Sequence, residues 1–117
     1  MVIGAKICKF WMKMILTKIK EFELCLRESR FYDAHEALEE VWFPRRFEES
    51  NEVKILKGFI NASVSFELIK KGRCKQGKKV WANYLKYRQL LFKIDSPNLN
   101  HYYKLSRFIE KINNNIN

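Results

Sequence analysis

The residues best suited to chemistry lie in one short segment, between Phe31 and Trp42. His35 and Glu39 are four positions apart, so on a helix they stand one turn apart on the same face. An imidazole and a carboxylate placed in this way can share a divalent cation, or the histidine can act as a general base oriented by the carboxylate. The pair can also be structural, with His35 hydrogen-bonded to Glu39 or to a backbone carbonyl. All three interpretations remain open.

A metal site needs more ligands than these two. Glu67 is the clearest third ligand, because it falls within the apolar face of a later predicted helix, where a carboxylate needs a partner or a proton. A lysine reaching in from a neighbouring helix meets that need equally well. The metal hypothesis therefore names His35, Glu39 and Glu67 as ligands of a divalent metal ion, which is the only cofactor that the sequence suggests.

Catalysis has weaker support than binding. The His-Glu-x-x-Glu spacing lacks the second histidine of the His-Glu-x-x-His zinc hydrolases. No serine or cysteine stands at a spacing that makes it a nucleophile for His35. The sequence therefore favours a protein that binds over one that catalyses.

These side chains must be positioned by helices, because apolar residues recur at a period near 3.6 along the whole chain. The second helix follows a connection at Ser29 and Arg30 and can be capped by Ser29 or Asp33. Together with the other periodic segments it makes five predicted helices, which cover about Ile7–Arg27, Phe31–Phe43, Asn51–Lys71, Gln76–Phe92 and Leu99–Ile112.

The connections between these segments are short, which predicts antiparallel packing of consecutive helices. We expect an all-α, up-and-down antiparallel bundle of four to five helices in a single domain over residues 1–117. Residues 1–16 allow an extension of the first helix, and the polar tail at 113–117 is expected to fray.

The third helix is the most apolar and is predicted to be central. Its small residues Gly58, Ala62 and Ser65 allow a neighbouring helix to approach closely, and Gly72 is a natural stop. The three tryptophans Trp11, Trp42 and Trp81 fall on inner stripes of their helices and are expected to be largely buried. Leu91 and Phe92 are both predicted on the inner stripe of the fourth helix.

The motif on the second helix resembles the domain-of-unknown-function 309 family, whose signature reads aromatic-aromatic-x-x-His-Glu-x-x-Glu-x-x-Trp. The matching residues are Phe31, Tyr32, His35, Glu36, Glu39 and Trp42. The step Lys57-Gly58-Phe59-Ile60-Asn61 resembles the family's Gly-apolar-Ile-Gln step, with Asn61 in place of glutamine. The resemblance covers roughly Lys18–Asn113 and implies an up-and-down helical bundle with no assigned activity.

With the resemblance added, we expect a pocket for a metal ion or small ligand between the second and third helices. The hypothetical ligand-binding residues are His35, Glu36, Glu39, Trp42, Asn61 and Glu67. The alternative is a helical interaction module, such as a homodimer, in which the motif is structural.

The net charge of +10 raises a third alternative, weak binding to nucleic acid or another polyanion. The densest basic cluster lies in the turn between the third and fourth helices and comprises Lys70, Lys71, Arg73, Lys75, Lys78 and Lys79.

Lysines interrupt every apolar run near the N-terminus, so no transmembrane segment is expected. Three cysteines without a Cys-x-x-Cys spacing favour a reducing cytoplasm.

Overall fold

The computed structural model describes the backbone of residues 2–116 and the side chains of residues 10–116. Over that range the chain forms helices and turns without strands. The five α-helices are α1 (Val2–Arg27), α2 (Phe31–Trp42), α3 (Asn51–Lys70), α4 (Cys74–Arg88) and α5 (Leu99–Ile116). Short 3-10 turns follow α2 at Phe43–Arg45 and α4 at Gln89–Lys93. The predicted all-α helical bundle is confirmed.

The first four helices pack side by side in chain order, with α2 between α1 and α3, and α3 between α2 and α4, whereas α5 packs mainly against α3 and the second 3-10 turn. Phe59 of α3 marks the centre of the core, because its ring meets aromatic rings from three other helices. The ring centroids lie 6.4 Å from Phe22 of α1, 6.4 Å from Tyr84 of α4 and 5.9 Å from Tyr102 of α5. The prediction that the third helix is central is therefore confirmed.

Small residues let α3 and α4 pack closely. A Cβ atom added at Gly58 would stand 2.8 Å from the Cβ of Tyr87, and one at Gly77 would stand 2.7 Å from Ile69 Cγ1. The Ser65 hydroxyl donates a 2.7 Å hydrogen bond to the Gly77 carbonyl at the same interface. The sequence-based expectation of a close approach at Gly58 and Ser65 is confirmed.

Two helices end with the same backbone motif. Ser29 follows α1 with a φ of 57°, and the Arg30 amide bonds the Cys25 carbonyl at 2.8 Å. Gly72 follows α3 with a φ of 81°, and the Arg73 amide bonds the Leu68 carbonyl, also at 2.8 Å. In both cases a residue in the left-handed conformation is followed by a backbone amide that bonds the carbonyl five residues earlier. This is the Schellman arrangement of a helix C-terminus.

This geometry corrects the predicted cap of the second helix. Ser29 terminates α1, and the N-cap position of α2 is Arg30, which makes no side-chain cap hydrogen bond. Asp33 lies within the first turn and pairs with Arg30 at 3.0 Å. The connection is too short to hold both a left-handed helix stop and a separate serine cap.

One further expectation needs correction. Phe92 is 85% exposed, because α4 ends at Arg88 and the following 3-10 turn shifts the helical phase, whereas Leu91 of the same predicted stripe is buried. The helix α5 runs to Ile116, which lines a depression together with Phe31 and Ile69, and residue 117 of the predicted frayed tail lies outside the described residues. The tryptophans Trp11, Trp42 and Trp81 pack against the core and are mostly buried, as predicted.

Candidate functional site

The motif histidine lies on the flank of α2, at the border between core and solvent. The neighbours Ala34 and Leu38 point into the core and are fully buried, which leaves His35 and Glu39 on the flank. The His35 Nε2 atom contacts the Glu39 carboxylate one turn away, and the two side chains are 24% and 40% exposed. This pairing was one of the three interpretations that the four-residue spacing left open.

A groove of about 350 Å³ opens between α2 and α3 beside this histidine. Its lining combines apolar side chains with a histidine, a tyrosine and two opposite charges: Phe31, Tyr32, His35, Val64, Glu67, Leu68 and Lys71. On α3 these residues follow the i, i+3, i+4, i+7 spacing of a single helix face. The groove therefore brings residues of the motif on α2 opposite one face of α3.

Glu67 lies on the α3 wall of the groove, opposite His35. Its side chain is 22% exposed, and its Oε1 atom is 3.4 Å from Lys71 Nζ. The sequence offered a salt bridge with a lysine of a neighbouring helix as one explanation for this carboxylate. The lysine is instead four residues further along the chain, at the C-cap of α3.

The groove also includes side chains that sequence reasoning missed as ligand-binding residues. Lys71 was assigned only to the basic turn, and neither Val64 nor Leu68 was proposed as a ligand-binding residue. Their common helical spacing with Glu67 was the available signal. This spacing indicates one wall of a groove only when α2 is known to lie opposite these residues.

Tyr32 forms the exposed rim of the groove. Its side chain is 57% exposed, and its ring centroid is 5.8 Å from that of His35. A hydrogen bond to the Glu36 carboxylate raises the pKa of the Tyr32 phenol, because phenol ionisation would place two negative charges together. Glu36 is itself exposed and is not among the residues that line the groove.

Of the six predicted ligand-binding residues, His35 and Glu67 line the groove and the other four do not. Glu36 and Glu39 are on α2 beside it, whereas Trp42 and Asn61 lie further from it. Trp42 is seven positions beyond His35, about 10 Å along the helix axis, and its ring lies 5.0 Å from Lys57 Nζ. The Asn61 amide donates a 2.8 Å hydrogen bond back to the Lys57 carbonyl of its own helix. The full predicted set therefore does not converge, whereas His35 and Glu67 line the same groove.

The carboxylates of this region already have local partners. Among the described side chains, no group of three or more histidine, cysteine or acidic residues is arranged so that it could hold a metal ion. His35 and Glu39 pair within α2, and Glu67 pairs with Lys71. Each of these two carboxylates therefore pairs with a residue four positions away in the chain.

The basic turn lies at the same end of the bundle. Lys70 Nζ donates a 3.1 Å hydrogen bond to the Ser29 carbonyl and lies 5.8 Å from the Phe31 ring centroid, so it holds the end of α1. Lys71 pairs with Glu67, as described above. The other four basic residues of the cluster are exposed along the start of α4 and comprise Arg73, Lys75, Lys78 and Lys79.

The helices in the described part of the chain include none with the length and apolar character needed to cross a membrane. Comparison with curated proteins and with solved structures finds no significant match. A family model with the description Domain of unknown function (DUF309) matches residues 19–80. That range covers more than half of the chain, runs from α1 into α4 and includes both walls of the groove. The chain belongs to the DUF309 family.

Proposed function

We propose that this protein binds a small amphipathic organic molecule in the groove between α2 and α3. The observation that carries the proposal is the groove itself, which joins an apolar floor to polar groups of both charges. Binding sites for small molecules are usually concave, mainly apolar and marked by a few convergent polar groups. This groove has that character, and it includes the motif histidine His35.

The lining indicates the chemistry of the ligand. Phe31, Val64 and Leu68 suit a flat apolar body. Lys71 can pair with an anionic group, and Glu67 can accept a hydrogen bond from a hydroxyl or amine. A ligand with both groups would exchange the partly exposed Glu67–Lys71 pair for two charge-assisted hydrogen bonds.

Glu39 has a supporting role in this proposal. Its contact with His35 Nε2 fixes the orientation of the imidazole beside the groove. The Lys71 ammonium in the wall of the groove disfavours a second cation there, so an organic ligand is better supported than the divalent ion that the sequence suggested.

The test is a titration with 4-hydroxybenzoate, which has a flat ring, a carboxylate and a hydroxyl group. We expect changes in the amide NMR shifts of residues 31–35 and 64–71. Replacing Lys71 by Met should weaken binding by about tenfold or more, since a hydrogen bond to a charged group contributes roughly 1.5–3 kcal/mol. The matched control is Lys75→Met, which removes the same charge from the exposed start of α4.

An equal loss of affinity in both variants would mean that the anion responds to the general positive charge and not to the groove. Shift changes confined to other helices would also contradict the proposal. Glu67→Gln keeps the shape of the groove and should weaken 4-hydroxybenzoate more than benzoate, which lacks the hydroxyl group.

We infer weak polyanion binding as a second function, supported by the four exposed cations at the start of α4 and by the net charge of +10.

Within the described chain Cys25 and Cys74 are free thiols, which supports a reducing cytoplasm as the compartment.

A further inference from the structure

A second apolar stripe runs along the outer side of α1. Phe10, Met14, Thr17, Glu21 and Leu24 alternate in steps of four and three, which is the spacing of a coiled-coil seam. Phe10 is 67% exposed, Leu24 is 52% exposed and Met14 is 38% exposed. The inward face of the same helix is already buried in the core, so this stripe is additional to it.

The remainder of the fold contacts α1 on either side of this stripe. On one side Trp11 Nε1 donates a 3.1 Å hydrogen bond to the Val41 carbonyl, and Lys18 Nζ lies 2.5 Å from Glu40 of α2. On the opposite side the Arg27 guanidinium lies 4.8 Å from the Phe108 ring centroid of α5. The stripe between these contacts faces solvent.

A shallow depression of about 230 Å³ lies on this surface. Its walls are Phe10, Lys13, Met14, Thr17 and Lys18. It offers the kind of hole that a large apolar side chain of a second helix can fill. Leu24 is such a side chain, about two helical turns beyond Thr17 on the same stripe.

We propose that α1 forms an antiparallel homodimer through this stripe, with the two-fold axis near Thr17. In such a pairing Leu24 of each protomer lies against Phe10 and Met14 of its partner. The Thr17 hydroxyl already donates a 3.2 Å hydrogen bond to the Lys13 carbonyl, so a small side chain without an unsatisfied donor lies at the axis. A self-complementary surface of this kind is what a two-fold dimer requires.

Charge decides the direction of the pairing. An antiparallel arrangement about Thr17 places Lys13 of one protomer opposite Glu21 of its partner, and this contact occurs twice. A parallel arrangement would bring Lys13 against Lys13 and Glu21 against Glu21. Glu21 is paired with Lys18 at 3.1 Å, whereas Lys13 makes no ion pair among the described residues. The carboxylate within the stripe also argues against an anionic bilayer as the partner.

The first test is sedimentation equilibrium of the full chain over a range of protein concentrations. We expect a reversible monomer–dimer equilibrium. Leu24→Glu should shift the protein to monomer, while Phe92→Glu should not, although it removes an aromatic side chain that is even more exposed. Circular dichroism should show both variants folded, because neither side chain lies in the core.

The second test uses charge reversal and does not depend on removing apolar surface. Lys13→Glu and Glu21→Lys should each weaken dimerisation by about tenfold, because each creates two repulsive contacts. Mixing the two single variants should restore a dimer, since both contacts between unlike protomers are attractive again.

A wild-type protein that stays monomeric at all concentrations would overturn the proposal. Dimers that survive Leu24→Glu, or single charge variants that are not rescued by mixing, would equally overturn it. Flotation of a monomeric protein with phosphatidylserine vesicles would assign the stripe to a membrane surface instead.

Discussion

At the scale of single residues, two buried tyrosine hydroxyls connect α5 to the other helices. The Tyr102 hydroxyl donates to the Glu52 carboxylate of α3. The Tyr84 hydroxyl of α4 lies 2.8 Å from Ser106 Oγ. Because Ser106 gives its own proton to Glu110 at 2.9 Å, Tyr84 is the donor to Ser106. Both phenols therefore must stay protonated in the native state.

These two tyrosines should make the protein sensitive to alkali. Burial raises the pKa of both phenols well above the usual value near 10, and for Tyr102 the negative charge of Glu52 raises it further. Because the phenol pKa is higher in the native state than in the unfolded chain, the stabilisation from each protonated phenol is complete below about pH 10. It is lost as the pH rises towards the native pKa. Above about pH 10 the free energy of unfolding should fall by roughly 1.4 kcal/mol per pH unit for each tyrosine. Urea denaturation at several alkaline pH values measures the slope.

Phenylalanine substitutions separate the two contributions. Tyr102→Phe should halve the alkaline slope and also cost about 1.5–3 kcal/mol at neutral pH, because Glu52 loses a donor. The adjacent Tyr103→Phe is the control and should change neither quantity, since Tyr103 is only partly buried. An unchanged alkaline slope in Tyr102→Phe would show that this phenol ionises in the native protein.

At the scale of helices, the contact between α3 and α4 is the closest and should be the least tolerant of added atoms. In Gly58→Ala the new Cβ would meet the Cβ of Tyr87 at 2.8 Å, and neither atom can move without its backbone. Overpacking typically costs 1–3 kcal/mol, and the better helix propensity of alanine returns about 0.5–1 kcal/mol. We expect a net destabilisation of about 1–2 kcal/mol in urea denaturation.

The control for this substitution is Asn83→Ala, an exposed position of α4 where alanine also improves helix propensity. It should leave the unfolding midpoint equal or slightly higher. If Gly58→Ala raised the unfolding midpoint as well, α3 and α4 would be able to move apart without loss of stability, which would contradict the prediction.

The helices themselves were largely predictable from the sequence, because each has an apolar face with the helical period. The prediction of a buried Phe92 was wrong, since a wheel with a fixed angle per residue cannot follow a change to a 3-10 turn. The role of Ser29 was missed because a left-handed backbone is uncommon for residues other than glycine. In the candidate site, His35 and Glu67 could be named from the sequence. Lys71 could not, because its place in the groove depends on how α2 lies against α3.

At the scale of the whole molecule, the positive charge is concentrated where α3 turns into α4. The proposed polyanion binding should be weak and should weaken further with salt, because each neutralised phosphate contributes about −0.9 to the slope of log affinity against log salt on duplex DNA. Replacing Arg73, Lys75 and Lys78 by glutamine together should flatten this slope by up to about three units. Fluorescence anisotropy with a labelled duplex at several salt concentrations measures it.

The double variant Lys70→Gln/Lys71→Gln should flatten the salt slope less, because these two lysines already have partners in the Ser29 carbonyl and Glu67. Tight binding that prefers one DNA sequence would contradict this view, since no helix of the described chain is presented as a groove reader.

The order of the helices also has a consequence for how the chain reaches its fold. The helices α1 to α4 each find their main partner directly before or after them in the sequence, so only short loops must close. The hydrogen bond between Glu52 and Tyr102, in contrast, joins residues 50 positions apart. Local contacts form quickly, while distant ones must first overcome the entropy of a long loop. The first four helices can therefore assemble as a fast, local process, and α5 closes the structure by binding to a surface that is already formed.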